Sequence, residues 1–195
     1  MHSDHQFLTL LLQNFGFSAF RQGQLEAIKA LLENNRLLCI QPTGHGKSLL
    51  YQFPSCLLPG ITLVISPLLA LMRDQIEQLT HRFKIPAASL NSDQTEEENA
   101  QARAMAATGK IKVLFVSPEQ LDHIDRFDFL LNLPISLVVI DEAHCISTWG
   151  HDFRPSYRQI LHFIQAVEKI NPAIKILGLT ATADDRVEKD IGKIE

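Results

Sequence analysis

Apolar positions along the chain fall into two alternating patterns. Short runs rich in β-branched residues occur at Leu37–Gln41, Ile61–Ile65, Ala87–Leu90, Lys112–Val116, Leu137–Asp141 and Lys175–Thr180. Most are unbroken apolar strings without in-out alternation, as expected of parallel strands covered on both faces. Longer amphipathic stretches lie between them. Leu68, Met72, Ile76, Leu79 and Phe83 keep to one stripe at helical spacing, as do Tyr157, Ile160, Leu161, Ile164 and Val167. A third helix is predicted from Thr95 to Thr108. It opens on a cap-forming Thr followed by three glutamates, which suit a helix N-terminus, and stops at Gly109. Strand and helix in alternation predict an α/β fold, a mostly parallel sheet with helices on both faces. Repeats, low-complexity tracts and linkers are not seen, so one domain is expected. A last helical pattern runs from Asp184 to Glu195 without a cap or a terminating Gly or Pro, which reads as a piece cut from a longer chain.

Composition narrows the class. With 195 residues, 46% hydrophobic and 21% charged, the chain can bury a core without disulfides or metal staples. It lacks an apolar run of the ~18 residues that a membrane span needs, and an export signal is not visible at Met1-His-Ser-Asp-His-Gln. The expectation is therefore no membrane partner. Cys39, Cys56 and Cys145 are odd in number and never in Cys-x-x-Cys spacing, which predicts free thiols and no zinc in this lobe. A net charge of −4 excludes histone-like binding of nucleic acid but leaves room for a local basic groove.

Candidate chemistry starts after the first strand. Gln41-Pro-Thr-Gly-His-Gly-Lys-Ser48 leads into the helical run Leu49-Leu-Tyr-Gln-Phe53. A strand, a Gly-rich turn, Lys-Ser and a helix form the arrangement that a triphosphate needs. Backbone N–H groups of Thr43, Gly44, His45 and Gly46 can converge on phosphate oxygens beside a positive helix terminus. Lys47 supplies charge to the β- and γ-phosphates, and the Ser48 hydroxyl can ligate Mg²⁺. Gln41 stands where the strict motif has Gly, so the match begins at Gly44. The structural alternative is a plain turn feeding a helix. The second half of such a site is Asp141-Glu142-Ala143-His144, at the end of the apolar run from Leu137. Asp141 is placed to hold Mg²⁺ and Glu142 to polarise the attacking water. An acidic helix cap is the alternative for this pair alone. Together the two segments predict an ATP site with catalytic Lys47, Asp141, Glu142 and His144.

At these residues the chain resembles a known family. Ser66-Pro67-Leu68, Asp141-Glu142-Ala143-His144 and Thr180-Ala181-Thr182 resemble, in order and spacing, motifs of superfamily 2 helicases. Phe15-Gly-Phe17-Ser-Ala-Phe20-Arg21-Gln-Gly-Gln24 resembles the adenine-side motif of the RecQ helicases. The segment from Cys145 to Tyr157, with Trp149, His151, Phe153 and Arg154, resembles their aromatic-rich loop. The resemblance covers the chain from about Phe15 to Asp190. It implies the RecA-like P-loop NTPase fold, first lobe only, with ATP and Mg²⁺ as cofactors.

Residue by residue, the resemblance implies that Gln24 pairs with the adenine edge, Phe17 stacks on the base and Arg21 lies near the nucleotide. Phe15 and Phe20 are left to hydrophobic packing. Trp149, His151, Phe153 and Arg154 would grip single-stranded DNA by stacking and charge and couple it to hydrolysis. Ser66 and Pro67 open a helix whose free N–H groups can bind a DNA phosphate. Asn91 and Ser92, like Ser117-Pro118-Glu119, stand at other strand ends as backbone contacts, with ordinary helix capping as the compatible alternative. Thr180 and Thr182 would link the ATP side to the DNA side through His144.

The implied whole is a 3′-to-5′ DNA helicase of recombination and repair, acting on single-stranded and 3′-tailed duplex DNA. It would work in the nucleoid of a bacterium or the nucleus of a eukaryote. Its second RecA-like lobe, zinc-binding and winged-helix regions are absent from this chain, so the piece is expected to be nearly inactive alone. The competing expectation is a stand-alone nucleotide-binding module that regulates a partner. A small-molecule kinase would leave Gln24 and the segment from Trp149 to Arg154 without a purpose.

Overall fold

An apolar strand with no polar face must be covered on both sides, and the architecture follows from that demand. The computed structural model describes residues 2–40, 46–141 and 155–180. In them one six-stranded sheet is built from β1 (Arg36–Ile40), β2 (Ile61–Ile65), β3 (Ala87–Leu90), β4 (Val113–Val116), β5 (Ile135–Ile140) and β6 (Lys175–Thr180). The strand order is β1-β6-β5-β2-β4-β3, and every pairing is parallel. Parallel neighbours need long crossovers. Here these carry α3 (Leu49–Leu57), α4 (Leu69–Glu77), α5 (Glu96–Ala107), α6 (Ile124–Leu131) and α7 (Pro155–Ile170), while α1 (Asp4–Phe15) and α2 (Gln24–Asn34) precede β1.

The sheet separates two apolar cores. On one face Phe7, Leu11 and Phe15 of α1, Ile28 of α2, Phe53 of α3 and Met72 of α4 meet Val64, Phe115, Val139 and Leu177. On the other, Ala102 and Ala106 of α5, Leu130 of α6 and Phe163 of α7 meet Leu63, Leu114, Val138 and Ile176. Alternate residues of each strand thus serve opposite cores. Among the described residues, no helix is long and apolar enough to cross a membrane.

The predicted strands are all present, with shifted bounds at three of them. β4 begins one residue after Lys112, whose ammonium donates to the Leu58 carbonyl at 2.5 Å. β5 begins two residues before Leu137, because Ser136 interrupts the apolar run without leaving the strand. Its hydroxyl accepts a hydrogen bond from the Gly60 N–H at 2.8 Å. Gly60 lies so near this strand that a Cβ there would stand 2.2 Å from the Pro134 carbonyl oxygen. β1 begins at Arg36, and Gln41 lies outside the described residues.

The stripe from Leu68 to Phe83 is also only partly as expected. Met72, Leu79 and Phe83 are buried, but Leu68 is exposed, as is Leu71. Leu69 turns to the core in their place. α4 then widens into a π-helical turn, Gln78–Arg82, which brings Leu79 and Phe83 back onto the core. α5 has the predicted capping box: Thr95 Oγ1 accepts from the Glu98 N–H at 3.1 Å, and Glu98 Oε1 accepts from the Thr95 N–H at 3.2 Å.

Candidate functional site

With all six strands parallel, their carboxyl ends emerge along one edge of the sheet, where ligands bind in open α/β folds. β1 leads toward Lys47 and Ser48, β6 ends at Thr180, and Asp141 follows β5. Ser66, Ser117 and Asn91 follow β2, β4 and β3. The strand order therefore sets Thr180 between the phosphate-side and acid-side segments. It also sets Ser66 beside Asp141, whose N–H donates to the Ile65 carbonyl at 2.9 Å. Sequence reasoning placed the same residues at strand ends, and the topology brings them to one edge.

On the phosphate side, Gln24 is buried and bridges two segments. Its Oε1 accepts the Arg21 N–H at 2.7 Å, and its Nε2 donates to the Gly46 carbonyl at 3.1 Å. Gly46 has φ +72°, and a Cβ there would stand 2.5 Å from Gln24 Nε2, with the Arg21 side chain next at 3.6 Å. Only glycine fits this junction. Arg21, Gln24 and Gly46 are thus in mutual contact. Phe17 is half-buried at the end of the same segment, edge-on to Phe83 at 6.0 Å between centroids. The Arg82 guanidinium lies 5.5 Å from the Phe17 centroid. Phe15 and Phe20 pack on Phe53, as expected of core residues.

Between the phosphate and acid segments, α3 starts directly after Ser48 of the phosphate side, and the Ser48 hydroxyl makes no capping bond to that helix. It is in hydrogen-bond contact with the phenol of Tyr51, one turn on. Burial pushes the Tyr51 hydroxyl far above its ordinary pKa, the charge of Asp141 adds to the rise, and the Ser48 hydrogen bond opposes it. Tyr51 therefore stays a neutral donor, with its hydroxyl 3.3 Å from Gln75 Oε1. The charge of Lys47 also reaches inward, to Cys39 of β1. Burial raises that thiol, and Lys47 acts against the rise. Ser48 and Asp141 offer a hydroxyl and a carboxylate, hard oxygen donors of the kind Mg²⁺ takes. The Ser48 hydroxyl, bonded to Tyr51 and not to its own helix, keeps an oxygen lone pair for that use.

Ser66 is buried, and its hydroxyl accepts from the Leu68 N–H at 3.3 Å, holding the turn that carries half-buried Pro67 into α4. Asn91 is buried too. Its Nδ2 donates to Ser89 Oγ at 2.8 Å and its Oδ1 accepts from the Asp93 N–H at 3.0 Å, so its amide shapes a turn. Ser92 is exposed and donates to Glu119 at 3.3 Å. Thr43, Gly44, His45, Glu142, His144, Trp149, His151, Phe153, Arg154 and Thr182 lie outside the described residues, as does the helix expected from Asp184.

The comparisons with known proteins give this edge its context. The family model for the DEAD/DEAH box helicases matches residues 21–191. The chain belongs to this helicase family. It is 45% identical over 184 residues to the ATP-dependent DNA helicase RecQ of Pasteurella multocida, which covers 94% of the chain but 28% of that relative. It is 43% identical over 190 residues to the RecQ helicase of Bacillus subtilis, covering 97% of the chain and 32% of that relative. The chain thus spans about three-tenths of the length of these relatives. A hypothetical ATP-dependent RNA helicase from Sulfolobus tokodaii has a similar fold, with TM-score 0.71 at 19% identity over 98% of the chain and 55% of that structure. The resemblance to RecQ helicases and the RecA-like fold are both as the motifs implied.

Four site residues were not legible in the sequence: Tyr51, Gln52, Gln75 and Arg82. Gln52 carried a usable signal, as an uncharged polar residue inside the otherwise apolar run from Leu49 to Phe53, which implies a buried partner. Gln75, flanked by Arg73, Asp74 and Glu77, carried none. Arg82 carried none, since its ring contacts depend on the π-helical turn.

Proposed function

We propose that this helicase-family domain is the ATP-binding lobe of a RecQ-type, ATP-dependent DNA helicase. The observation that carries the reading is the Asp141 backbone bond to Ile65. It ties the acid side of a nucleotide site to the strand that leads into Ser66 and α4, so that hydrolysis and strand contact share one sheet edge.

In this reading Gln24 keeps its bonds to Arg21 and Gly46 and turns its second amide N–H and remaining oxygen lone pair to the adenine edge, and Phe17 stacks on the base. Lys47 neutralises the β- and γ-phosphates. Ser48 and Asp141 would hold Mg²⁺, which supplies charge neutralisation at the phosphates. Glu142 takes the proton of the water that attacks the γ-phosphorus as the bond to the β-bridging oxygen breaks, leaving ADP and phosphate. Trp149, Phe153 and Arg154 sense the unpaired strand. An arginine finger from a second RecA-like lobe would add roughly 10³–10⁵ in rate. The lobe alone is therefore nearly inactive, and the whole protein unwinds 3′-tailed duplex in the 3′-to-5′ direction during recombination and repair, in the nucleoid or nucleus.

The test is ATPase rate with and without single-stranded DNA, on this chain and on a longer protein that includes the second lobe. The expected result is a near-silent chain and a longer protein stimulated severalfold or more. An active chain indifferent to DNA would replace the motor with a nucleotide-binding module.

A further inference from the structure

The phosphate-side helix and the strand-side helix meet at a polar junction inside an apolar core. Tyr51 and Gln52 lie on α3, the helix that begins at Ser48, and both are 3% exposed. Gln75 lies on α4, the helix that begins after Ser66 and Pro67, and is half-buried. Gln75 Oε1 accepts two hydrogen bonds, from the Tyr51 hydroxyl at 3.3 Å and from Gln52 Nε2 at 2.7 Å. The surroundings are apolar: Leu50, Phe53 and Met72 belong to the same core, and Tyr51 packs edge-on to Phe115 at 6.2 Å.

Two buried donors that share one acceptor are costly to leave unmatched, about 1–3 kcal/mol for each abandoned group. Two helices joined in this way shift relative to each other by an ångström or more only by breaking or remaking the bonds. The junction also continues on the nucleotide side, where the Tyr51 side chain contacts Ser48. Ser48 is one of the two residues placed to hold Mg²⁺.

We propose that Gln75 is a positioning residue that couples the nucleotide site to the strand-binding edge, through Tyr51 and Gln52, within this single lobe. The inference rests on the functional reading above, in which Ser48 faces nucleotide and the start of α4 faces DNA. The occupied nucleotide site fixes Ser48, Ser48 fixes the Tyr51 hydroxyl, and the Tyr51–Gln75 bond sets the rotation of α4. By thermodynamic linkage the coupling is reciprocal, so a DNA phosphate at the start of α4 changes nucleotide affinity by the same factor. Neither ligand touches Gln75.

The junction lies wholly within the 195-residue chain, so the chain suffices for the test. Fluorescence anisotropy of a labelled oligo-dT gives the DNA Kd with and without saturating Mg²⁺ and AMP-PNP, and their ratio is the coupling factor. Wild type is expected to show a factor of about 5 or more. Gln75→Met keeps the length of the side chain but removes the acceptor. It should bind each ligand alone within about twofold of wild type, with a coupling factor near 1. Gln75→Glu restores an acceptor and should restore most of the factor. Should Gln75→Met fail to fold, Tyr51→Phe removes one hydroxyl and is expected to lower the factor as well. A wild-type factor of 1, full coupling in Gln75→Met or Tyr51→Phe, or no recovery in Gln75→Glu would each overturn the proposal. Wild type that binds neither ligand would instead defeat the functional reading beneath it.

Discussion

Gly46 shows how little freedom a single position can have. Its φ of +72° already favours glycine, and the space that a methyl group would need is filled by Gln24 Nε2, 2.5 Å from an ideal Cβ. Gly46→Ala must therefore either break the bond from Gln24 to the Gly46 carbonyl or move the backbone that carries Lys47. Strain of about 1–3 kcal/mol is expected, corresponding to a nucleotide Kd raised on the order of tenfold or more. Fluorescent-nucleotide titration checks this, and an unchanged Kd would remove the Gln24–Gly46 junction from the site. A second residue-scale prediction concerns pH. Burial raises the Cys39 thiol above its ordinary 9.0, and burial raises Cys56 similarly. Above pH 9 the unfolded chain gives up protons that the folded chain keeps, so stability falls as pH rises through that window and is fully present below it. Urea midpoints between pH 8 and 10.5 should drop less steeply in the Cys39→Ala, Cys56→Ala double variant than in wild type. Parallel slopes would assign the alkaline loss to other groups.

At the scale of elements, local chemistry is sufficient where a segment satisfies itself. The capping box of α5 needs only Thr95, Glu98 and the backbone between them. Thr95→Ala should cost about 1 kcal/mol, or roughly 2–4 °C in Tm for a domain of this size, without touching nucleotide affinity. Differential scanning calorimetry and a nucleotide titration on the same sample separate these effects. The same self-sufficiency made the strands legible, because burial on both faces imposes an unbroken apolar run. Elements whose limits depend on distant partners were not legible. β5 starts at Ile135 because Gly60, 76 positions away, supplies an N–H for Ser136. Leu68 reads as part of a buried stripe, yet α4 starts one residue later and turns Leu69 to the core instead. The Tyr51–Gln75 bond joins residues 24 positions apart. Nothing in periodicity distinguishes Gln75 from a polar residue on a helix flank, so this part of the site required the fold.

At the scale of the molecule, one parallel sheet places six loops along one edge, and the strand order divides that edge into two halves. β1, β6 and β5 carry Lys47, Ser48, Thr180 and Asp141, while β2, β4 and β3 carry Ser66, Ser117 and Asn91. Under the proposed function, phosphate binding and strand sensing should therefore be separable in variants. Lys47→Ala in a two-lobe protein removes the charge that the γ-phosphate requires. ATPase should fall by at least 10², both with and without DNA, while the melting temperature without nucleotide stays within about 2 °C because Lys47 is not part of either core. Trp149→Ala is expected to behave differently. In the proposed reading its role is stacking on an unpaired base, worth about 1–3 kcal/mol per base. Basal ATPase should persist and stimulation by single-stranded DNA should fall to near 1. If both variants lost basal and stimulated rates together, phosphate binding and strand sensing would act as one site. If Trp149→Ala kept full stimulation, strand sensing would belong to the β2, β4 and β3 half alone, where the junction at Gln75 would be its route to the nucleotide.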